Sequence, residues 1–532
     1  MLGGMQDFEL RVPRLLDHAE REHGRREIVS RWADGSETRT NWAEIARDSR
    51  KLAQALERRG VKPGDRVATL AMNHHRHLCA WYGAIGMGGI VHTINPRLFD
   101  DQLAFIANHA EDRVLLYDRA FQPIVDRLRE HWTTIEHYIV MDGDAEDSFE
   151  AVIAAEDGNY AWVEGDERDL CMLCYTSGTT GNPKGVVYSH RSTLIHAISE
   201  IQPAIFDLSM QSVALPVVPM FHAVGWGLPF AGAAAGIKFV FSAVNEPKVL
   251  CELMNREKVT HSAGVPTVWF AMFQHMDATG EEPRHLKIVT IGGSAAPRAM
   301  IERLMKMGIR VNHAWGMTET SPIGTMGAPS PDWDEMSFEE KVDLVSKQGR
   351  VPFGVELRVV DDEGNLLPRD GHTSGRLQVR GPWIIERYFQ DERGPCLTPD
   401  GWFDTGDVAV LHPDGVMQIT DRAKDVIKSG GEWISSVELE NAAVGCAGVA
   451  EAAAVGVYHP KWDERPILLV IRKPGSEVGE EEIMRHLGDH VAKWWLPDEI
   501  LFVESLPHTA TGKLLKTALR EEYRNYKLKT AA

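Results

Sequence analysis

Segments with helical and with strand-like spacing of apolar residues alternate over much of the chain. Residues 41–60, NWAEIARDSRKLAQALERRG, have apolar residues at helical spacing, basic residues near the end and a terminal glycine. The strand-like DRVATLAM follows, and the alternation returns through SVALPVVPM, KFVF and LKIVTIGG. Because strands that alternate with helices form parallel βαβ units, the pattern predicts an α/β fold.

The predicted pattern of helices and strands changes at about Gly349 and again near Asp421. A chain of 532 residues is too long for one compact core, so we expect at least two domains. From Gly349 onward, short strands and turns such as GVELRVVDDEGNLLP indicate a small antiparallel sheet or barrel, and charged DRAKD then precedes a new helical start. We predict a large domain over residues 1–420, of βαβ subdomains plus a small β-barrel-like subdomain. A small, mobile α+β domain should follow over residues 421–532.

Composition excludes several classes of protein. The apolar share of 43% and the charged share of 25% are those of a soluble globular protein. A net charge of −20 argues against a surface for nucleic acid or for an anionic membrane. The six cysteines are too scattered for a disulfide framework, and the CxxC of Cys171 and Cys174 lies in a strand-like run that predicts core packing. With no signal peptide and no long apolar run, the predicted location is the cytoplasm.

The stretch YTSGTTGNPKGVVYSH, residues 175–190, combines glycines and hydroxyls with one lysine. Glycine-rich loops bind phosphate because their N–H groups can turn towards one anion where no Cβ blocks them. Serine and threonine hydroxyls add donors, and Lys184 adds charge. The Walker pattern fails, since Gly185 follows Lys184 where that pattern needs a hydroxyl residue. The stretch therefore predicts a phosphate loop outside the P-loop NTPase class.

YTSGTTGNPKG resembles the phosphate loop of the adenylate-forming superfamily, which includes acyl-CoA synthetases, luciferases and peptide-synthetase adenylation domains. Further blocks that resemble the superfamily follow in its order: PMFHAVGW (219–226), GGSAAP (292–297), HAWGMTET (313–320), GWFDTGDVAV (401–410), DRAKDVIKSGGEWIS (421–435) and LPHTATGKLLK (506–516). The resemblance spans nearly the whole chain. It is strongest to medium-chain fatty-acid CoA ligases and to bacterial 3-methylmercaptopropionate CoA ligases.

This resemblance implies an ATP-dependent acyl-CoA ligase. Such an enzyme converts a carboxylic acid through an acyl-adenylate to a CoA thioester and releases AMP and pyrophosphate. Two anions must meet, so cationic stabilisation is the central requirement. The implied cofactors are ATP, Mg²⁺ and coenzyme A, and the implied partners are these small molecules and the acid, without nucleic acid or membrane. A homodimer is a further expectation. The alternative is an acyl-AMP ligase or luciferase-like enzyme that passes the acyl group to another acceptor.

The resemblance also assigns the residues that hold the nucleotide. The phosphates would be held by Thr176, Ser177, Gly178, Thr179, Thr180, Gly181 and Lys184. Thr176 and Glu319 would hold Mg²⁺ through hard oxygen ligands, although a charge near a helix start is the other interpretation of Glu319. The adenine-binding wall would be formed by Gly292, Gly293, Ser294, Ala295, Ala296, Pro297 and Trp315. The other predicted ATP- or AMP-binding residues of this region are His313, Ala314, Gly316, Met317 and Thr318. Asp407 would accept the ribose hydroxyls. Trp315 stands where relatives commonly have tyrosine, which keeps the ring and moves the polar group.

The C-terminal blocks imply a hinge and a catalytic lysine. Asp421 would be the hinge, and Arg422, Lys424 and Lys428 would face the nucleotide, with a solvated charge as the alternative for Lys424. Gly430, Gly431 and Trp433 would lie towards coenzyme A. Lys513 would bridge the attacking carboxylate and the α-phosphate. His508 departs from the basic residue that is common at its position.

The acid pocket is predicted from GVPTVWFAMF and HAWGMTETSPIG, which supply apolar side chains. Its predicted residues are His222, Trp226, Val265, Gly293 and Gly316. His222 shapes the pocket in this interpretation, whereas a satisfied core histidine is the alternative. An apolar lining favours a fatty or thioether chain over an amino acid. Chain length depends on backbone placement and cannot be derived from the sequence.

Overall fold

The computed structural model describes residues 3–143, 145–176, 182–430, 432–508 and 514–529. In chain order its strands are β1 Glu27–Arg31, β2 Glu37–Asn41, β3 Arg66–Leu70, β4 Ile90–Thr93, β5 Asp112–Tyr117, β6 His137–Val140, β7 Leu170–Tyr175, β8 Gly185–Ser189, β9 Val213–Pro216, β10 Lys238–Ser242, β11 His261–Gly264, β12 Ile288–Ile291, β13 Arg310–Gly316, β14 Ile323–Met326, β15 Glu356–Val360, β16 Gly375–Arg380, β17 Phe403–Leu411, β18 Met417–Arg422, β19 Ile427–Ser429, β20 Glu432–Ile434, β21 Val449–His459, β22 Asp463–Arg472 and β23 Glu499–Phe502.

Most of the α-helices lie in connections between these strands, whereas the first precedes β1 and the last follows β23. They are α1 Pro13–His23, α2 Trp42–Arg58, α3 His75–Gly86, α4 Asp100–Ala110, α5 Gln122–Leu128, α6 Phe149–Ala154, α7 His190–Glu200, α8 Leu228–Ala235, α9 Pro247–Arg256, α10 Pro266–Thr279, α11 Arg298–Lys306, α12 Phe338–Val345, α13 Ser436–Gly445, α14 Glu480–His490 and α15 Lys516–Glu522. Among the described residues, no helix is both long enough and apolar enough to span a membrane.

Two mostly parallel sheets form the first part of the molecule. One has the order β6-β5-β3-β4-β7-β8, in which only β8 runs antiparallel to its neighbour. The other has the order β14-β13-β12-β11-β9-β10-β1-β2 and is antiparallel only at its two ends. Parallel pairing follows from the helical crossovers that the alternating sequence pattern predicted. The predicted α/β class is confirmed.

Helices such as α3 and α8 share one hydrophobic core with strands of both sheets. Helix α3, HRHLCAWYGAIG, is almost entirely buried, as expected for a helix that is apolar on all sides. Its Trp81 stacks on Phe230 of α8 with ring centroids 5.6 Å apart. Cys171 and Cys174 are buried within β7, in agreement with the predicted core packing.

The later part of the chain forms two further sheets. Strands β15 to β18 make a four-stranded antiparallel sheet, which is the sheet alternative of the predicted small subdomain. Strands β19 to β23 make a mixed sheet with α13, α14 and α15 nearby in sequence. This matches the predicted small α+β unit in composition, whereas its boundary stays a prediction.

Asp421 lies inside β18 and is 1% exposed, so it does not sit in an open charged connection. Its carboxylate accepts hydrogen bonds from the backbone N–H and the hydroxyl of Ser436, at 2.6 and 2.7 Å, in the first turn of α13. The carboxylate of Asp421 is therefore used inside the fold, and the predicted domain boundary at this residue stays a prediction. The hinge role of Asp421 stays a prediction.

Candidate active site

A cavity of about 250 Å³ lies beyond the carboxyl ends of β7, β12 and β13. In mostly parallel sheets this is where ligands bind, because the loops that follow the strands converge there. Of the predicted site residues, those that line the cavity are Thr176, Lys184, His222, Trp226, Gly292, Gly293, Ala314, Trp315, Gly316, Met317, Thr318, Glu319 and Arg422. We call the part around Thr176, Lys184, Trp315, Glu319 and Arg422 the polar side. The part around Phe206, Trp226, Ile323 and Met326 is the apolar side.

The two ends of the predicted phosphate loop are joined at Thr176 and Lys184. The N–H of Thr176 donates to the carbonyl of Lys184 at 2.9 Å, and the N–H of Lys184 donates to the Thr176 hydroxyl at 3.2 Å. These two hydrogen bonds hold Thr176 and Lys184 side by side at the base of the loop, and both residues line the cavity. The predicted phosphate-binding residues between them, Ser177, Gly178, Thr179, Thr180 and Gly181, lie outside the described residues.

Tyr388 connects the acidic and the basic side chain of the polar side. Its hydroxyl donates to Glu319 Oε1 at 2.9 Å, and Lys184 Nζ lies 4.7 Å from the centroid of its ring. Glu319 is 7% exposed, and this burial raises the pKa of its carboxyl, although the bond from Tyr388 acts in the opposite direction. A β-bridge between Tyr388 and Val186 fixes the tyrosine beside the strand that follows the loop.

Trp315 uses its ring nitrogen within the protein. The indole N–H donates to Asp407 Oδ2 at 2.8 Å, and Arg422 Nε lies 3.6 Å from Asp407 Oδ1. The carboxylate predicted to accept the ribose hydroxyls is thus held beside the predicted base-binding ring. The polar group that moved when tryptophan replaced the common tyrosine has a defined partner here.

His313 supports the wall of the cavity from behind. Its Nε2 accepts the N–H of Ala296 at 3.2 Å, and its Nδ1 lies 3.1 Å from the carbonyl of Ser346. Burial lowers the pKa of His313 to about 4, so the ring is neutral near pH 7. Gly292 and Gly293 line the cavity, whereas Ser294, Ala295, Ala296, Pro297 and His313 lie outside its lining. The roles of these five residues in nucleotide binding stay predictions.

The turn that carries Trp226 has an unusual backbone. Ala223, Val224 and Trp226 have φ angles of 36°, 47° and 54°, in the left-handed region where side chains cost about 1 kcal/mol or more each. The turn places the Trp226 ring beside Gly292, where a Cβ atom would lie 3.2 Å from Cη2 of the indole. A glycine at 292 is thus what allows Trp226 to approach the strand end.

Solved and curated proteins resemble this chain over its full length. A family model for AMP-binding enzymes matches residues 15–389, and a model for the C-terminal domain of AMP-binding enzymes matches residues 438–513. The chain belongs to the AMP-binding enzyme family. The resemblance predicted from the motif blocks is confirmed.

Two relatives of this family member cover both chains almost completely. The 3-methylmercaptopropionyl-CoA ligase of Ruegeria lacuscaerulensis is 46% identical over 99% of this chain and 99% of its own. The medium-chain-fatty-acid–CoA ligase of Ectopseudomonas oleovorans is 44% identical over 100% and 99%. The ATP-bound crystal structure of MatB from Rhodopseudomonas palustris superposes with a TM-score of 0.84 at 25% identity, over 98% of this chain and 100% of that one. The predicted class, an acid–thiol ligase, is confirmed.

Several other predicted site residues of this AMP-binding enzyme lie outside the lining of the cavity. Val265 precedes α10 and lies outside the lining, as do the exposed Lys424 and Lys428. The Lys428 ammonium lies 6.0 Å from the ring of Trp433, and the N–H of Gly430 donates to the Trp462 carbonyl at 2.7 Å. Gly431 and Lys513 lie outside the described residues.

Sequence reasoning missed several lining residues, namely Asn182, Phe206, Ala223, Thr290, Pro322, Met326 and Tyr388. Asn182, Ala223 and Pro322 lie within quoted blocks and could have been named from them. Phe206, Thr290, Met326 and Tyr388 are ordinary residue types outside any phosphate or carboxylate pattern. Tyr388 carried no sequence signal beyond being one aromatic residue in IIERYFQ.

Proposed function

We propose that this AMP-binding enzyme activates a short or medium-chain apolar carboxylic acid, a fatty acid or 3-methylthiopropionate, as an acyl-adenylate and transfers it to coenzyme A. The observation that carries the proposal is one cavity with a polar side beside an apolar side. Adenylation needs a phosphate and a carboxylate held together, and an apolar chain needs a dry wall next to them. The relatives named for 3-methylmercaptopropionyl-CoA and medium-chain fatty acids support this class of acid.

The polar side fits ATP in its chemistry. Lys184 and Arg422 bring positive charge to the cavity, where developing negative charge on a phosphate would be stabilised in a water-poor setting. Trp315 offers a ring face for the base, and Asp407 beside it offers a carboxylate for the ribose. Because Trp315 and Tyr388 orient Asp407 and Glu319, these side chains need little rearrangement on binding.

Thr176 and Glu319 fit Mg²⁺ as hydroxyl and carboxylate donors that reach the same cavity. When bound with ATP, Mg²⁺ neutralises phosphate charge. Burial raises the pKa of Glu319, and the Lys184 charge acts in the opposite direction. A divalent cation there would favour the carboxylate form.

The remaining roles are part of the proposal. Lys513 would contact both the attacking carboxylate and the α-phosphate. Asp421 would be the hinge about which the C-terminal domain rotates for thioester formation. Gly430, Gly431 and Trp433 would then face coenzyme A. A homodimer and a cytoplasmic location belong to the same proposal and are supported here only by the resemblance and the composition.

A panel of acids tests the function. Purified enzyme with ATP, Mg²⁺ and coenzyme A is assayed for AMP, pyrophosphate and thioester with propionate, 3-methylthiopropionate and fatty acids of graded length. We expect AMP and pyrophosphate, with thioester in equal amount. ADP as the product would overturn the proposal. Acyl-AMP release unaffected by coenzyme A would favour the alternative, an acyl-AMP ligase that uses another acceptor.

A further inference from the structure

Glu200, the last residue of α7, is buried without a hydrogen-bond partner for its side chain. The residue is 1% exposed, and neither carboxyl oxygen has a hydrogen bond among the described residues. The nearest titratable nitrogen is Nδ1 of His196, one helical turn earlier, at 3.5 Å. A buried polar group in this condition is costly, so its position in the fold needs a reason.

The position of the proton on His196 follows from its other contact. Nε2 of His196 accepts the backbone N–H of Ile323 at 3.3 Å, so Nε2 carries no proton and Nδ1 carries one in the neutral ring. The protonated nitrogen therefore faces Glu200. Burial lowers the pKa of His196 to about 3, so its ring is neutral near pH 7, and burial raises the pKa of Glu200, which favours the protonated carboxyl.

This pair lies directly behind the apolar side of the cavity. His196 binds the backbone of Ile323, and the Glu200 carbonyl accepts the N–H of Phe206 at 3.0 Å. The Glu200 carboxyl packs so closely against Gly227 that a Cβ atom there would clash with it. Gly227 follows Trp226 at the end of the left-handed turn. Ile323, Phe206 and Trp226, which line the cavity, thus share one polar layer behind them.

We propose that His196 and Glu200 are specificity-determining residues that end the apolar side of the cavity and restrict the enzyme to short-chain acids. The inference rests on the proposed function. A longer apolar chain must displace Phe206, Trp226 or Ile323 and then meets a carboxyl group to which it offers no hydrogen bond. Extension of the chain therefore gains less from burial here than it gains in a pocket with an apolar end.

The test compares kcat/KM for octanoate and butanoate in wild type, Glu200→Gln and Glu200→Leu. We expect wild type to favour butanoate by roughly tenfold or more, as methylene discrimination in an apolar pocket allows. Glu200→Gln keeps a polar end and should keep this ratio. Glu200→Leu should raise the octanoate-to-butanoate ratio by about tenfold. Because the ratio is taken within one preparation, a reduced folded fraction does not change it.

Helix α7 supplies a matched control. His190 is also buried, its pKa is also lowered to about 3, and its Nδ1 accepts the N–H of Val12 at 3.2 Å, away from the cavity lining. His196→Leu should raise the octanoate-to-butanoate ratio, whereas His190→Leu should leave it unchanged. His196→Gln, which can restore an acceptor for Ile323, should return the ratio towards wild type.

An unchanged ratio in both Glu200→Leu and His196→Leu, or a wild type that prefers octanoate, overturns the inference and leaves the ligase function standing. An equal change in His190→Leu also overturns it, since the effect would then come from helix stability. A wild type that forms no thioester with any acid overturns the proposed function and this inference together.

Discussion

The polar and apolar sides of one cavity are built in opposite ways. On the polar side, side chains are held by side chains: Trp315 binds Asp407, and Tyr388 binds Glu319. On the apolar side, ordinary apolar residues from separate elements meet, and the carboxyl oxygens of Glu200 behind them have no hydrogen bond among the described residues. The polar side is therefore fixed before a ligand arrives, whereas the apolar side depends on how its neighbours pack.

This difference predicts two separate kinds of mutational effect. A change on the polar side should lower the rate with every acid in the same proportion, because all acids share one nucleotide. A change on the apolar side should alter the preference among acids. Polar-side variants that change the preference among acids would contradict this separation of roles.

Glu319→Gln should have the largest effect. It removes the carboxylate proposed for Mg²⁺, and loss of one preorganised electrostatic group should lower pyrophosphate release by about a hundredfold or more. The loss should be the same for butanoate and octanoate. Pyrophosphate release with each acid, and ATP binding with and without Mg²⁺ by calorimetry, are the measurements. A variant that still binds ATP more tightly with Mg²⁺, to the wild-type extent, would contradict the metal role of Glu319.

Tyr388→Phe should have the next largest effect. It removes the hydrogen bond to Glu319 and keeps the ring beneath Lys184, and a bond to a buried carboxylate corresponds to roughly tenfold or more in rate. Tyr388→Leu also removes the ring and should lose a further factor of about two to five. Steady-state rates at saturating acid check both. Equal rates for the two variants would show that the contact of Lys184 with the ring does not contribute.

Each side of the cavity has a buried neutral histidine behind it, and each of these histidines contributes to the loss of stability at acid pH. The pKa values of His196 and His313, about 3 and about 4, lie below the value near 6.5 of an unfolded chain, so the unfolded state binds more protons. The contribution of each ring to stability should fall as pH drops below about 6.5, by up to about 1.4 kcal/mol per pH unit, whereas the raised pKa of Glu200 beside His196 contributes with the opposite sign. His196→Gln or His313→Gln should flatten urea-midpoint curves between about pH 6 and about pH 4. A slope equal to wild type would mean that the ring has the same pKa in the folded and the unfolded protein.

Trp315→Phe should have the smallest effect. It keeps an aromatic face and removes the N–H that binds Asp407, a loss of about 1 kcal/mol or roughly fivefold in the KM for ATP. The kcat and the ratio between acids should stay at wild-type values. A changed acid ratio would show that the ring also shapes the apolar side.

The two sides also differ in how far the sequence predicts them. Lys184 was predicted from the chemistry of phosphate binding, and Thr176, Glu319 and Arg422 were predicted from motif blocks that resemble those of a known family. Phe206 and Met326 were not, because any apolar residue of suitable size serves there and only the fold brings them together. The same reason explains the parallel sheets, which apolar periodicity predicts, and the buried Asp421, which a charged sequence did not suggest.

The turn from Gly316 to Ile323 connects the polar and the apolar side, and its backbone conformation is tightly restricted. The N–H of Met317 and the hydroxyl of Thr320 both donate to the Pro322 carbonyl, and a Cβ atom at Gly316 would clash with that same oxygen. We therefore expect an acid that pushes Ile323 outward to shift Glu319 as well, because Glu319 lies within this same segment. Fidelity in such an enzyme would be expressed as slow turnover of a misfit acid, even where that acid binds well.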